Sequence, residues 1–186
     1  MKIAQFILTL GLGGAEAVVR DYAIELAERG HQVEIIVLFP RMHNSNETKL
    51  EEKGISIRCI YEEIFFIKKF NAFFRIIRKP YRTFLVRNWI TKYVNSNKPD
   101  VLHCHLGLLR YIPCGICRQN KTRLFFTCHN EVEYYFGNKR DPDFISANKL
   151  IQSDDLHFFA LHDRMRNELN KCFGVDTTEV MLNPID

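Results

Sequence analysis

No run of about 18 apolar residues occurs in the 186-residue chain, so the sequence offers no membrane-crossing helix. No G-K-[ST] follows its glycine-rich turn, which removes a nucleoside triphosphate loop. Cysteine is sparse: the six residues Cys59, Cys104, Cys114, Cys117, Cys128 and Cys172 are scattered through apolar runs. They do not form the dense framework of a small secreted domain, and they predict reduced, mostly buried thiols in a cytoplasmic protein. The opening MKIAQFILTL has one lysine, a short apolar run and no small-residue cleavage site. It predicts a first strand rather than a signal peptide. Internal repeats and low-complexity linkers are lacking too. The most local absence is acid: none occurs from Ile64 to Pro99.

What is present is an ordinary globular composition, 46% hydrophobic and 26% charged, with a mild net charge of +4. The length suits one domain, large enough to bury roughly 70% of its unfolded surface. Residues 2–9 form an apolar run that suits a buried parallel strand. Residues 14–29 carry Ala15, Val18, Val19, Tyr22, Ala23 and Leu26 at helical spacing, and Gly30 stands where a helix-ending glycine belongs. QVEIIVLF at 32–39 is β-branched and predicts a second strand. The alternation continues with a helix at 48–53, a strand at 55–60 and a helical stretch over 66–95 broken at Pro80. It then predicts a strand at 100–104, a helix near 108–119, a strand at 123–128, and a polar loop through NEVEYYFGNKRDPD. A helix at 143–153, a strand at 156–161, a helix at 163–173 and a short strand at 179–182 follow. Strands alternating with helices predict an α/β domain with a mostly parallel sheet and helices on both faces.

The glycine-rich turn GLGGAE at 11–16 admits several readings. A dinucleotide fingerprint needs G-x-G-x-x-G and an acid ending the second strand. Here the third position is Glu16 and the strand ends Leu38-Phe39-Pro40. The turn binds nothing, or its bare amides and helix N-terminus face a cleft that holds a polar or anionic ligand. DVLHCHLG places His103 and His105 on one face of a strand, near the strand end where α/β crevices form. His129 ends the next strand. His103, His105, Cys128 and His129 are the one metal grouping on offer, but no carboxylate or spaced cysteine pair completes it, so no metal is expected. The lone C-x-x-C of Cys114 and Cys117 reads as a packing pair on a helix.

Taken together, these stretches resemble the family 4 glycosyltransferases, retaining enzymes of GT-B fold. GLGGAEAVVRDYAIELAERGHQVEIIV resembles the family's GG-A-E turn, first helix and second strand; PDVLHCHLG resembles its P-D-apolar-apolar-H-x-H run. FFTCHNE resembles its T-x-H strand end, and FGVDTTEVMLNPID the stretch that closes its N-terminal half. The resemblance implies a single Rossmann-like domain over 1–186, the acceptor-side half of a GT-B enzyme, with the C-terminal donor-binding domain and its E-x7-E motif absent. It implies that Gly13 and Gly14 lie against the bound substrates and that His129 acts catalytically beside the reacting carbon. It implies that His105, Asn130 and Glu131 bind substrate. Glu16 either caps its helix through the dipole or meets an acceptor hydroxyl. No cofactor is implied; a nucleotide sugar is the donor substrate. Ala160-Leu161-His162 departs from the family, which ends this strand in serine.

The acid-free segment adds a partner question. Residues 65–94 hold eight Lys or Arg and nine aromatics. On a helical wheel Phe66, Phe70, Phe73, Phe74 and Ile77 group together, opposite Lys68, Arg75 and Lys79. One reading packs this stripe on the sheet. The other lays it on an anionic membrane surface, with Lys68, Lys69, Arg75, Arg78 and Lys79 as the basic rim. Nucleic acid is not expected, since no reading motif accompanies the patch. The resemblance therefore implies a hexosyl-type transferase half that is inactive alone. It would act on a glycan or lipid-linked glycan in the cytoplasm, peripheral to the inner membrane face. A non-catalytic binding module and a dinucleotide-dependent oxidoreductase are the rival classes.

Overall fold

In a computed structural model, the structure describes residues 1–65 and 79–181. The strands are β1 (Lys2–Ile7), β2 (Gln32–Val37), β3 (Ser56–Cys59), β4 (Val101–His105), β5 (Arg123–Thr127), β6 (His157–Ala160) and β7 (Glu179–Val180). They form one sheet in the order β3-β2-β1-β4-β5-β6-β7, every neighbouring pair parallel. The helices are α1 (Gly14–Glu28), α2 (Ser45–Glu52), α3 (Ile60–Phe65), α4 (Lys79–Asn97), α5 (Ile116–Gln119), α6 (Val132–Phe136), α7 (Pro142–Gln152) and α8 (Asp163–Phe173). A 3-10 turn spans Leu109–Tyr111. Parallel crossovers are right-handed. The chain winds from β1 towards β3 and then back across to β4–β7, so α1 and α2 cover one face and the later helices the other. The contacts agree: α1 packs on α2, and α4 on α3, α5 and the 3-10 turn.

The direction of winding reverses between β1 and β4, and ligand crevices of open α/β sheets form at that point, beyond the strands' carboxyl ends. Both strands are buried on both faces: Ala4, Phe6, Ile7, Leu102 and Cys104 have almost no exposed surface. Register there matters for function. Gln5 pairs with His103 across β1–β4, and His105 with Thr127 across β4–β5, so four polar side chains fall on one face of the sheet centre.

Several expected boundaries move, each for a local reason. The helix expected near 108–119 is two short pieces, since Pro113 lies between them and Gly115 takes φ 79° at the start of α5. Cys114 is therefore exposed ahead of that helix, while Cys117 is buried within it, so the two do not share a packing face. The polar loop after His129 contains α6, whose Val132, Tyr135 and Phe136 are buried at helical spacing. Helix α2 starts earlier than expected, at Ser45, because the Asn44 side chain accepts from the amides of Asn46 and Glu47. Pro80 lies in helix α4, and residues 66–78 of the helical stretch expected over 66–95 lie outside the described residues. Val86, Ile90, Tyr93 and Val94 of this helix are buried, so the C-terminal part of the basic segment packs on the domain. Lys68, Lys69, Arg75 and Arg78 lie outside the described residues. His162 stands where the resembled family has a serine, and it caps α8: its Nδ1 accepts from the amide of Met165.

Candidate functional site

The glycine-rich turn leaves β1 and enters α1 at the switch point. Its carbonyls are held from one side: Asn44 Nδ2 donates to Leu10 O and Asn46 Nδ2 to Gly11 O, each at 2.5 Å. Arg20 Nη1 braces Asn46 by donating to its Oδ1 at 2.6 Å. With the carbonyls tied back, Leu12, Gly13 and Gly14 stand exposed at the helix start. The first amides of a helix have no intrahelical acceptor, and the dipole there favours negative charge. A Cβ on Gly14 would meet nothing within 4 Å, so the residue's bareness serves no packing need of this domain. A Cβ on Gly13 would stand 2.5 Å from Glu16 Oε2, because the Glu16 side chain folds back over the turn. Glu16 sits in the first turn of α1, as the dipole reading expects, yet no amide donates to it among the described residues. Its carboxylate stays available to a ligand hydroxyl.

Below the turn lies a buried polar chain. His105 Nε2 is 2.6 Å from Gln5 Oε1, and His105 Nδ1 is 2.9 Å from His129 Nε2. His103 Nε2 is 2.7 Å from Thr127 Oγ1, and the His103 and His105 rings lie 4.1 Å apart. Gln5 presents an acceptor oxygen, so His105 carries its proton on Nε2 and accepts at Nδ1. His129 must then donate from Nε2, which leaves its Nδ1 as an acceptor. Burial holds all three imidazoles neutral. It pushes His129 down to about 4, His103 down to about 3, and His105 well below the usual imidazole range.

This geometry changes some assignments. His105 has no exposed surface and both its nitrogens are engaged, so it holds His129 rather than lining a binding surface itself. His129 is the half-buried member of the chain. Asn130 is exposed, and its Nδ2 donates to the Tyr135 hydroxyl at 3.1 Å. Glu131 is exposed ahead of α6 and lies in a separate cleft with Arg164 and Glu168, between α6 and α8. Cys128 Sγ donates to Asn130 O at 3.1 Å, turned away from the histidines, and burial pushes its thiol up to about 12. No cluster of three metal-ligating side chains occurs among the described residues. At the end of β2, Val37 and Leu38 are buried apolar residues where a dinucleotide site needs an acid.

Sequence reading missed Gln5, Asn44, Asn46, Arg110 and Asp143. The asparagines carried a visible cue, an N-cap signature in HNSNE. The others act across distances in sequence that no local pattern reveals. After β4 the chain turns through Leu106 at φ 56° and Gly107 at φ 72°. A leucine in the left-handed region is strained, and such strain gathers at functional sites. A Cβ on Gly107 would stand 3.4 Å from the Tyr135 ring and 3.5 Å from Asp143, so glycine is needed there for space as well as for φ.

Comparison with known proteins places this geometry. No curated protein matches the chain. Among solved structures it is similar to Anabaena Alr3699/HepE in complex with UDP, at 15% identity and TM-score 0.66, covering 100% of this chain and 45% of that one. It is similar to the lipopolysaccharide outer core galactosyltransferase WaaB, at 15% identity and TM-score 0.63, covering 100% and 46%. A glycosyltransferase from Rickettsia africae ESF-5 aligns at 14% identity and TM-score 0.60, covering 97% and 42%. The chain thus spans less than half the length of these structures, and at such identities they show the shared fold alone. The model of glycosyltransferase family 4 matches residues 12–186, from the exposed leucine of the turn to the last residue, and the chain belongs to that family.

Proposed function

We propose that this chain is the acceptor-side half of a retaining glycosyltransferase, which moves a hexose from a nucleotide sugar to a glycan or lipid-linked glycan. One observation carries the reading: bare Gly13–Gly14 amides and a neutral, acceptor-presenting His129 both belong to loops at the carboxyl ends of the central strands. The amides and the α1 N-terminus suit the donor's diphosphate or the sugar leaving it. His129 Nδ1 accepts from a donor-sugar hydroxyl, and stays uncharged so that it does not oppose the positive charge growing at the anomeric carbon. In that step the bond from the anomeric carbon to the diphosphate breaks. The acceptor oxygen bonds on the same face, and its proton leaves with the diphosphate. Stabilisation of that diphosphate falls mainly to a second, donor-binding half, so this chain works by positioning.

The solved HepE complexes contain UDP and UDP-glucose, which makes uridine diphosphate sugars the first donors to try. The test joins this chain to a donor-binding half and assays release of nucleoside diphosphate from UDP-hexoses with and without acceptor. Release that depends on acceptor and disappears with His129→Ala supports the reading. Release unaffected by His129→Ala removes it.

No helix among the described residues is long and apolar enough to cross a membrane. The lipid-linked form of the acceptor rests on the basic and aromatic segment 65–94. In its described part, Tyr81 and Phe84 are exposed on the same side of α4, one turn apart.

A further inference from the structure

A second cleft, of about 480 Å³, opens beside the histidine chain. It is lined by Leu8 beyond β1, Leu106 and Gly107 beyond β4, and Arg110, Tyr134 and Asp141. It therefore shares the loop beyond β1 with the site already described, and its β4 side begins directly after His105. Its polar floor is one knot. The Arg110 amide donates to Asp143 Oδ1 and its Nε to Asp143 Oδ2, each at 2.7 Å. Nη2 reaches the same Oδ2, and also Asp141 Oδ1 at 3.1 Å. Asp143 is buried and Asp141 half-exposed. One cation between two carboxylates leaves this floor with a net charge of −1.

That arrangement discriminates between acceptors. A phosphate or carboxylate ligand would find the guanidinium's charge already balanced by Asp143 and a spare negative charge beside it. A neutral, hydroxyl-rich ligand finds a donor and an acceptor, since Arg110 Nη1 and Asp141 Oδ2 have no partner among the described residues. Above them stands Tyr134, 76% exposed, its ring held perpendicular to Tyr135 at 5.1 Å. A fixed, exposed aromatic beside paired polar groups is suited to the apolar face and the hydroxyls of a pyranose. Resting on the transferase reading above, we infer that this cleft takes an uncharged sugar of the acceptor, with Tyr134 as its platform, and disfavours acidic or phosphorylated ones.

The test is direct binding to the 186-residue chain, with no donor and no turnover. Saturation-transfer NMR and titration compare methyl glucoside and methyl galactoside with glucose 6-phosphate and glucuronate. The neutral glycosides should bind more tightly than the anionic ones. Tyr134→Ala, a surface change, should weaken the neutral ligands about three- to tenfold. Asp141→Asn keeps an N-cap for α7 and brings the floor to neutrality, so it should tighten glucose 6-phosphate. Anionic sugars binding as tightly as neutral ones overturn the inference, as does neutral binding that Tyr134→Ala leaves unchanged. Either result leaves the donor-side reading standing, because that reading fails only with His129 and nucleotide-sugar turnover.

Discussion

His105 Nδ1 lies 2.9 Å from His129 Nε2, and the far side of His105 rests on Gln5. This relationship fixes how the protein responds to acid. His103, His105 and His129 all have folded pKa values below the ordinary imidazole value near 6.5. The folded state then binds fewer protons than the unfolded chain below that value, so stability is complete above about pH 6.5 and is lost as pH falls towards 4. Each such histidine contributes at most about 1.4 kcal/mol per pH unit in that window. Denaturant unfolding at pH 7.5 and 5.5 should show a clear loss at the lower pH, and His103→Gln should reduce it. Equal or greater stability at pH 5.5 would refute the buried, neutral chain.

Gly14 and Gly13 give different tests of the turn. Gly14→Val adds a side chain into open space, at a position where glycine gains nothing for the fold. Stability should stay within about 1 kcal/mol of the parent. If a ligand must meet the bare amides, transfer in a two-half enzyme should nonetheless fall below detection. Gly13→Val must first push the Glu16 carboxylate off the turn, so its effect mixes two causes. Normal turnover by Gly14→Val would return GLGGAE to a connection that binds nothing.

Much of this architecture is legible in the sequence because the central strands are short, mostly apolar runs bounded by helices with their own period. His103 and His105 share a face simply because strand side chains alternate. Elements fail to be legible where tertiary contacts override composition. NEVEYYF reads as polar loop, yet Tyr135 and Phe136 find the ring of Phe126 and make a helix worthwhile. The roles of Gln5 and His105 are not legible at all, since their hydrogen bond spans 100 positions. Neither is the Arg110–Asp143 knot, 33 positions apart. The family resemblance implies a binding role for His105; its burial, with both nitrogens engaged, makes it a support for His129 instead.

The chain by itself should turn over no nucleotide sugar. Among the described residues, its switch-point site offers amides and an uncharged imidazole, but no arginine there is left unpaired to meet a departing diphosphate. Arg20 is engaged with Asp21 and Asn46, and Arg110 with its two aspartates. The check is nucleoside diphosphate release by the purified chain with UDP-hexoses and simple glycosides, expected at background. Turnover would mean that this chain, alone or paired with a second copy, completes the donor site.

Attachment to anionic bilayers is the remaining expectation, and its two contributions separate by salt. Residues 64–99 carry no acid, so the segment itself supplies no counter-charge to its basic side chains. Near an anionic leaflet each is worth about 1 kcal/mol, and exposed charges are screened within about 8 Å at physiological ionic strength. Vesicle co-sedimentation should therefore weaken as salt rises. Replacing Lys68, Lys69, Arg75, Arg78 and Lys79 together by Gln should remove the salt-sensitive part. Tyr81 and Phe84 stand out from α4, so Tyr81→Ser with Phe84→Ser should remove part of what survives high salt, without touching the buried Val86, Ile90 and Val94 that hold the helix. Equal pelleting of the parent and the five-fold variant, or none from either at low salt, would leave the whole segment as packing and take the membrane out of the acceptor question.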